Sequence, residues 1–186
     1  MKDNLSMSTP KLIGGIGSIL LILTMTPYFG IAAGLVGIVL LLISFNMFSK
    51  IFNDPQIFKN ALLSFIFTII GGFFVIFTVG LTFFSLFTMM GSHFHSFHMF
   101  PHVGIGTIFV WIILYILLVI SAYYLKTSLY LLSSYTGVNL YKTGGFLYFI
   151  GNILMIIVIG VLINLVAWIL IAVAFFTTPE EIKSEA

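Results

Sequence analysis

Long apolar runs alternate with short polar connections along the chain, and this pattern sets the predicted architecture. A helix rises about 1.5 Å per residue, so roughly 20 apolar residues cross a bilayer core of about 30 Å. Lipid offers the backbone no hydrogen bonds, so each run is expected to be helical. The pattern therefore predicts five spans, over residues 12–26, 31–48, 61–90, 104–125 and 146–176.

The predicted fold is all-α: a polytopic transmembrane helical bundle that begins with a short helical hairpin. Residues 11–177 are expected to form one domain, between a polar segment at 1–10 and an acidic tail at 178–186. Pro27 and Gly30 mark the turn of the hairpin, which either spans the membrane or is re-entrant. One kinked helix over residues 12–48 is the alternative, but it would measure about 55 Å, too long for one bilayer.

Composition supports a membrane protein and excludes several other classes. The chain is 61% hydrophobic and 6% charged, with a mean hydropathy of +1.24, whereas a soluble domain is about 25% charged. The absence of cysteine excludes disulfides and thiolate metal sites. A net charge of +2, carried by scattered lysines, excludes a nucleic-acid surface. The lipid bilayer is the expected environment.

The lysines predict an orientation. If the N-terminus is inside, five crossings place six of the seven lysines inside, which agrees with the positive-inside rule. This predicts a multi-pass protein of the cell membrane with a cytoplasmic N-terminus and the C-terminus outside. Residues 126–143, rich in tyrosine, are expected to continue in helical form along the inner membrane surface.

Small residues recur inside the predicted spans and indicate close helix packing. They serve either a homo-oligomer interface or packing within one chain, and the pattern favours the second. Asn152 and Asn164 lie within the predicted fifth span, about 120° apart on one helix. Single intramembrane asparagines are more often inter-helix hydrogen bonds than ligand contacts.

The four histidines form the one candidate for site chemistry. They lie within ten residues, at His93, His95, His98 and His102. Neutral imidazole is a common metal ligand, so the loop is a candidate Zn or Cu site, although no other cofactor is expected. The alternatives are a solvated connection at the outer surface, or a pH-responsive cluster, because histidine titrates near about pH 6.5.

The order of these features resembles a known family of membrane proteins, domain of unknown function 996. The residues that carry the resemblance are LIGGIG at 12–17, PYFG at 27–30, GLVG at 34–37, NDPQIFKNA at 53–61, GNIL at 151–154 and AWIL at 167–170. The resemblance implies a polytopic membrane fold and implies no activity. The histidine loop is not part of the family pattern.

No enzyme is predicted. No set of nucleophile, base and orienting acid can be assembled, and no charged residue lies deep in a span, as proton relays usually require. The expected function is that of a non-enzymatic accessory or structural subunit that associates through its helices, with a second copy or with other membrane subunits. The alternatives are a small oligomeric transporter or channel, with the Ser/Thr face of the third span lining a pore, and a metal-binding protein that uses the histidine loop.

Overall fold

The fold was taken from a computed structural model, which describes residues 6–24, 30–91, 100–157 and 159–180. The described residues form six α-helices and no strand. The helices are α1 (Ser8–Leu23), α2 (Gly30–Ile51), α3 (Pro55–Gly91), α4 (Phe100–Thr136), α5 (Asn139–Ile153) and α6 (Ile159–Thr177), with a 3-10 turn, Leu154–Ile157, after α5. The prediction of an all-α membrane bundle is confirmed.

Five helical segments are long and apolar enough to cross a membrane, and they differ from the five that were predicted. They are Ala32–Ile51, Pro55–Val75, Ile108–Thr136, Asn139–Ile157 and Ile159–Thr177. The predicted first span corresponds to α1, a shorter apolar helix that begins inside the predicted polar segment. The predicted single span over residues 146–176 is corrected to two helices, α5 and α6, separated by the 3-10 turn.

The polar segment at 126–143 also takes a different form from the one predicted. α4 continues through it to Thr136, and α5 starts at Asn139. Gly137 turns the chain between them with φ +71, a left-handed conformation that glycine adopts freely. Its N–H donates to Ser133 O at 3.0 Å, the bond that closes a helix in the αL motif.

The six helices pair as three antiparallel hairpins. In α1–α2, Ser44 Oγ donates to Pro10 O at 2.7 Å. In α3–α4, Ser128 Oγ donates to Ile57 O at 2.7 Å. In α5–α6, the hydroxyl groups of Tyr141 and Thr178 are 2.8 Å apart. Each of these bonds joins the outer ends of its hairpin.

The outer ends of the hairpins meet at one end of the bundle, here called the polar end. Lys11 Nζ lies 2.9 Å from Glu180 Oε1, which joins the first helix to the residues after the last. Tyr135 OH donates to Asp54 Oδ2 at 3.1 Å, which joins the end of α4 to the α2–α3 turn. Glu180 was predicted on the side opposite Lys11, and this contact contradicts that prediction. The reason is the turn between α5 and α6, which adds one reversal of the chain.

The buried core lies at the polar end. Phe175 of α6 packs edge-on against Phe45 of α2, with ring centroids 6.0 Å apart, and against Tyr141 of α5 at 5.1 Å. Phe48 of α2 and Leu129 of α4 are fully buried beside them. The core therefore fastens all three hairpins together where their ends carry the polar residues.

The hairpins differ in length. α3 and α4 have 37 residues each, about 55 Å. α1 has 16 residues and α5 has 15, about 24 and 22 Å, which is short of a bilayer core of about 30 Å. The α3–α4 hairpin therefore extends well beyond the two shorter ones.

Candidate functional site

A cavity of ≈ 720 Å³ lies between α3, α4 and α5. It forms where α5 ends and turns back while α3 and α4 continue. Its volume is within the range of small-molecule sites, about 300–1,000 Å³. The lining residues are mostly apolar: Phe67, Thr68, Gly71, Gly72, Val75, Ile108, Trp111, Ile112, Leu114, Tyr115, Leu118, Ser121, Tyr148, Asn152, Met155 and Ile156.

Two glycines of α3 create part of this space. A Cβ atom added at Gly71 or Gly72 would meet no other atom within 4 Å. Gly80, further along α3, is also open. By contrast, the glycines of α1, α5 and α6 are packed against neighbouring helices, for example Gly17 against Gly37 O and Gly144 against Ile171. Packing within one chain was the favoured explanation of the small residues. It accounts for the glycines of the α1–α2 and α5–α6 hairpins, but not for Gly71, Gly72 and Gly80 of α3.

The polar atoms on the α3–α4 wall of the cavity are bonded to each other. Thr68 Oγ1 and Ser121 Oγ are 2.7 Å apart, and Thr68 also donates to Ser64 O at 3.1 Å. Ser121 Oγ donates to Ser64 O at 2.9 Å. Ser64 and Thr68, two residues of the predicted pore-lining face, therefore tie α3 to α4. Their hydroxyl groups are engaged within the protein rather than free for a solute.

The turn between α5 and α6 forms another wall. Tyr115 OH, on α4, donates to Ile153 O at 2.7 Å and so satisfies a carbonyl at the end of α5. Asn152 Nδ2 donates to Tyr148 O at 2.7 Å and to Asn164 Oδ1 at 3.4 Å. Each asparagine was expected to bond to another helix, and the two bond to each other across the α5–α6 hairpin. Irregular backbone in a membrane requires such buried partners.

Close backbone contact completes this turn. A Cβ atom at Gly160 would clash with Gly151 O and with Met155 N, and a Cβ atom at Gly151 would clash with Asn164. Glycine at both positions lets α5 and α6 approach closely. Small residues of the predicted fifth span were expected to pack closely, but the turn was not predicted, because the run between Gly151 and Gly160 contains no proline and no charge.

A lysine surrounded by aromatic rings lies on the α4–α5 surface, closer to the polar end. Lys126 Nζ is 4.8 Å from the ring centroid of Phe149 and 5.3 Å from that of Tyr130, with Tyr123 and Phe146 at 6.0 Å. Lys142 of α5 also lies over Tyr130, at 5.9 Å. Rings within about 6 Å attract a cation. Two of the tyrosines predicted to mark the interface, Tyr123 and Tyr130, therefore lie round a lysine, which the sequence pattern did not indicate, whereas Tyr141 is buried in the core.

The predicted metal ligands fall largely outside the described residues. His93, His95 and His98 lie in the segment 92–99, and of His102, in α4, only the backbone is described. Within the described ranges, no group of three or more His, Asp or Glu residues could hold a metal ion. The Zn or Cu site therefore stays a prediction.

Comparison with known proteins places the chain in a family without an assigned function. The model of a family described as "Protein of unknown function (DUF996)" matches residues 33–169. The chain is 38% identical over 183 residues to an uncharacterised protein of Methanocaldococcus jannaschii, and the match covers 94% of each chain. Among solved structures, none matches this chain.

Proposed function

We propose that this chain, which belongs to the DUF996 family of proteins of unknown function, is a non-enzymatic accessory or structural subunit of a membrane assembly. Its partner is either other membrane subunits or a second copy. The α3–α4 hairpin carries the association, because it reaches beyond the core that fastens the three hairpins. The observation behind this proposal is an apolar seam on α3 that no other part of the described chain covers.

The seam consists of residues that recur at heptad spacing on one face of α3. Ile66, Phe73 and Gly80 are seven residues apart, and Ile70 and Phe77 repeat at the same interval. Phe73 is 68% exposed and Phe77 55% exposed, and Gly80 is open. By helix geometry, this face is opposite the cavity. A glycine between large apolar side chains lets a second helix approach closely in lipid, where packing drives association.

We also propose that the polar end faces the cytoplasm. Lys11, Lys50, Lys59 and Lys142 belong to helix ends at this side of the bundle, whereas the 92–99 connection contains no lysine or arginine. The positive-inside rule then places both Lys11 and Glu180 on the cytoplasmic side of the cell membrane.

Native mass spectrometry of the protein, extracted from its own membrane in mild detergent, tests the accessory role. The wild-type chain is expected to retain a partner subunit or a second copy, and Gly80→Leu is expected to release it because the larger side chain separates the helices. Gly71→Leu, nine residues from Gly80 and therefore about 180° round α3, is the matched control. A wild-type chain that is monomeric and without partners in native nanodiscs refutes the proposal.

A small transporter is the second candidate, and one observation favours it. Short or interrupted helices beside a cavity at membrane depth are typical of substrate sites in transporters, and α5 and its 3-10 turn have this form. Flux measured across proteoliposomes at high protein load tests this candidate. Vesicles that stay impermeable to a panel of ions and small solutes count against it.

A further inference from the structure

We propose that the cavity holds a hydrocarbon chain of an anionic membrane lipid, whose headgroup binds Lys126 and Lys142. This inference concerns a different face from the seam on α3 and does not depend on the accessory role. It rests on the chemistry of the cavity, on where the cavity opens, and on the position of the two lysines.

The cavity suits hydrocarbon better than a polar solute. No charged side chain lines it. The hydroxyl groups of Thr68 and Ser121 bond each other, and Tyr115 bonds a backbone carbonyl. Throughout the described residues, no buried side-chain nitrogen or oxygen is left without a hydrogen-bond partner. A polar ligand would lose its hydration and find few partners, whereas an apolar chain loses nothing by entering.

The cavity opens on the surface of the bundle. Four of its lining residues are half exposed or more: Ile108 at 60%, Trp111 and Ile112 at 50% each, and Ile156 at 73%. In a membrane this surface faces lipid, so a hydrocarbon chain has direct access. Water would fill the same space only poorly, because a stable buried water needs two to four polar partners.

The two lysines provide a site for an anion. Lys126 Nζ and Lys142 Nζ both lie within 6 Å of the ring centroid of Tyr130, at 5.3 and 5.9 Å. In the part of the chain that the structure describes, the one ion pair joins Lys11 to Glu180, so neither of these lysines is neutralised by a carboxylate. Basic pockets between helices on the cytoplasmic side are typical sites for anionic lipid headgroups. Tyr123 and Tyr130, amphipathic rings of the kind found at the headgroup level, surround the same lysine.

The spacing between the lysine and the cavity matches one leaflet. Lys126 and Tyr115 are eleven residues apart, which places them within about 20° on the same face of α4 and about 16 Å apart along its axis. Half of a bilayer core is about 15 Å thick. A lipid with its headgroup at Lys126 therefore reaches the level of Tyr115 with its chain, beside the α5–α6 turn.

The test compares two lipids that differ only in charge. Delipidated protein is titrated in detergent with phosphatidylglycerol or phosphatidylcholine of identical chains, and bound lipid is counted by native mass spectrometry. One tightly bound phosphatidylglycerol is expected. Lys126→Gln is expected to weaken it about fivefold and leave phosphatidylcholine unchanged, since one lysine near an anionic headgroup contributes about 1 kcal/mol. Lys59→Gln, an exposed lysine away from the aromatic rings, is the control.

A second pair of variants tests the cavity itself. Gly72→Leu is expected to abolish the tight binding of phosphatidylglycerol, because the new side chain extends into the cavity from a position where an added Cβ atom meets nothing within 4 Å. Gly80→Leu is the matched control, because this glycine is equally open but does not line the cavity. Thermal unfolding of each variant confirms that it is folded.

Three results overturn the inference. The first is equal affinity of the wild-type chain for the two lipids. The second is unchanged lipid binding in a folded Gly72→Leu variant. The third is a cavity closed by a second copy of the chain, seen as a dimer without lipid that Gly72→Leu dissociates and Gly80→Leu does not.

Discussion

The contact between α5 and α6 yields a prediction that compares one chemical change at two sites. Gly160→Ala and Gly71→Ala each add a single methyl group to a helix. At Gly160 the methyl would clash with the backbone oxygen of Gly151 and with the backbone of the 3-10 turn. At Gly71 it would meet nothing within 4 Å.

The expected effects on the free energy of unfolding have opposite signs. Replacing glycine by alanine in a helix stabilises by up to about 1 kcal/mol, and Gly71→Ala should show this gain. At Gly160 the gain is outweighed, because backbone atoms must move apart and overpacking costs about 1–3 kcal/mol. The loosened turn also weakens the bond from Tyr115 to Ile153 O. We expect Gly160→Ala to be about 2 kcal/mol less stable than Gly71→Ala.

Reversible unfolding in mixed micelles of mild detergent and dodecyl sulfate, followed by circular dichroism and tryptophan fluorescence, measures the difference. Trp168 of α6 packs against Tyr148 of α5, with ring centroids 5.2 Å apart, so its emission reports separation of this hairpin once the other tryptophan is removed as Trp111→Phe in both variants. If Gly160→Ala is as stable as Gly71→Ala and leaves the emission of Trp168 unchanged, the close approach of α5 and α6 is refuted.

Further predictions address the cap, the core, the topology and the histidines. Tyr115→Phe should destabilise by about 0.6–2 kcal/mol, since it leaves the carbonyl of Ile153 without its partner; an unchanged unfolding midpoint would show that the bond contributes nothing. Phe175→Ala should cost about 3–5 kcal/mol in the same assay, whereas an exposed control, Phe73→Ala, should have little effect. Single cysteines at Ser8 and Glu180, in a chain without native cysteine, should react with an impermeant thiol reagent from the same side of the membrane. Labelling from opposite sides would restore the five-crossing topology. If the histidine loop binds Zn or Cu, replacing His93, His95, His98 and His102 by alanine should remove metal from the purified protein. Equal metal content in the two proteins would exclude the metal-binding alternative.

Several glycines and the asparagine pair show where pattern reasoning succeeded and where it failed. Gly14, Gly17 and Gly151 pack against neighbouring helices, as small residues in a span predict. Asn152 and Asn164 were each expected to bond to another helix; they bond to each other, which was not predicted because both were placed on a single helix. The site was only partly predictable: the Ser/Thr face of α3 was identified, but the cavity beside it depends on where α5 ends.

Local composition alone determined that this chain is a helical membrane protein. Runs of about 20 apolar residues can satisfy their backbone in lipid only as helices, whatever surrounds them. The tertiary structure decided the reversal between α5 and α6, and with it the shared side of Lys11 and Glu180 and the cavity. That turn has no local signal, because its stability comes from contacts made in the folded protein. The hydroxyl of Tyr115 caps a carbonyl 38 residues away, and Gly160 packs against the backbone of Gly151.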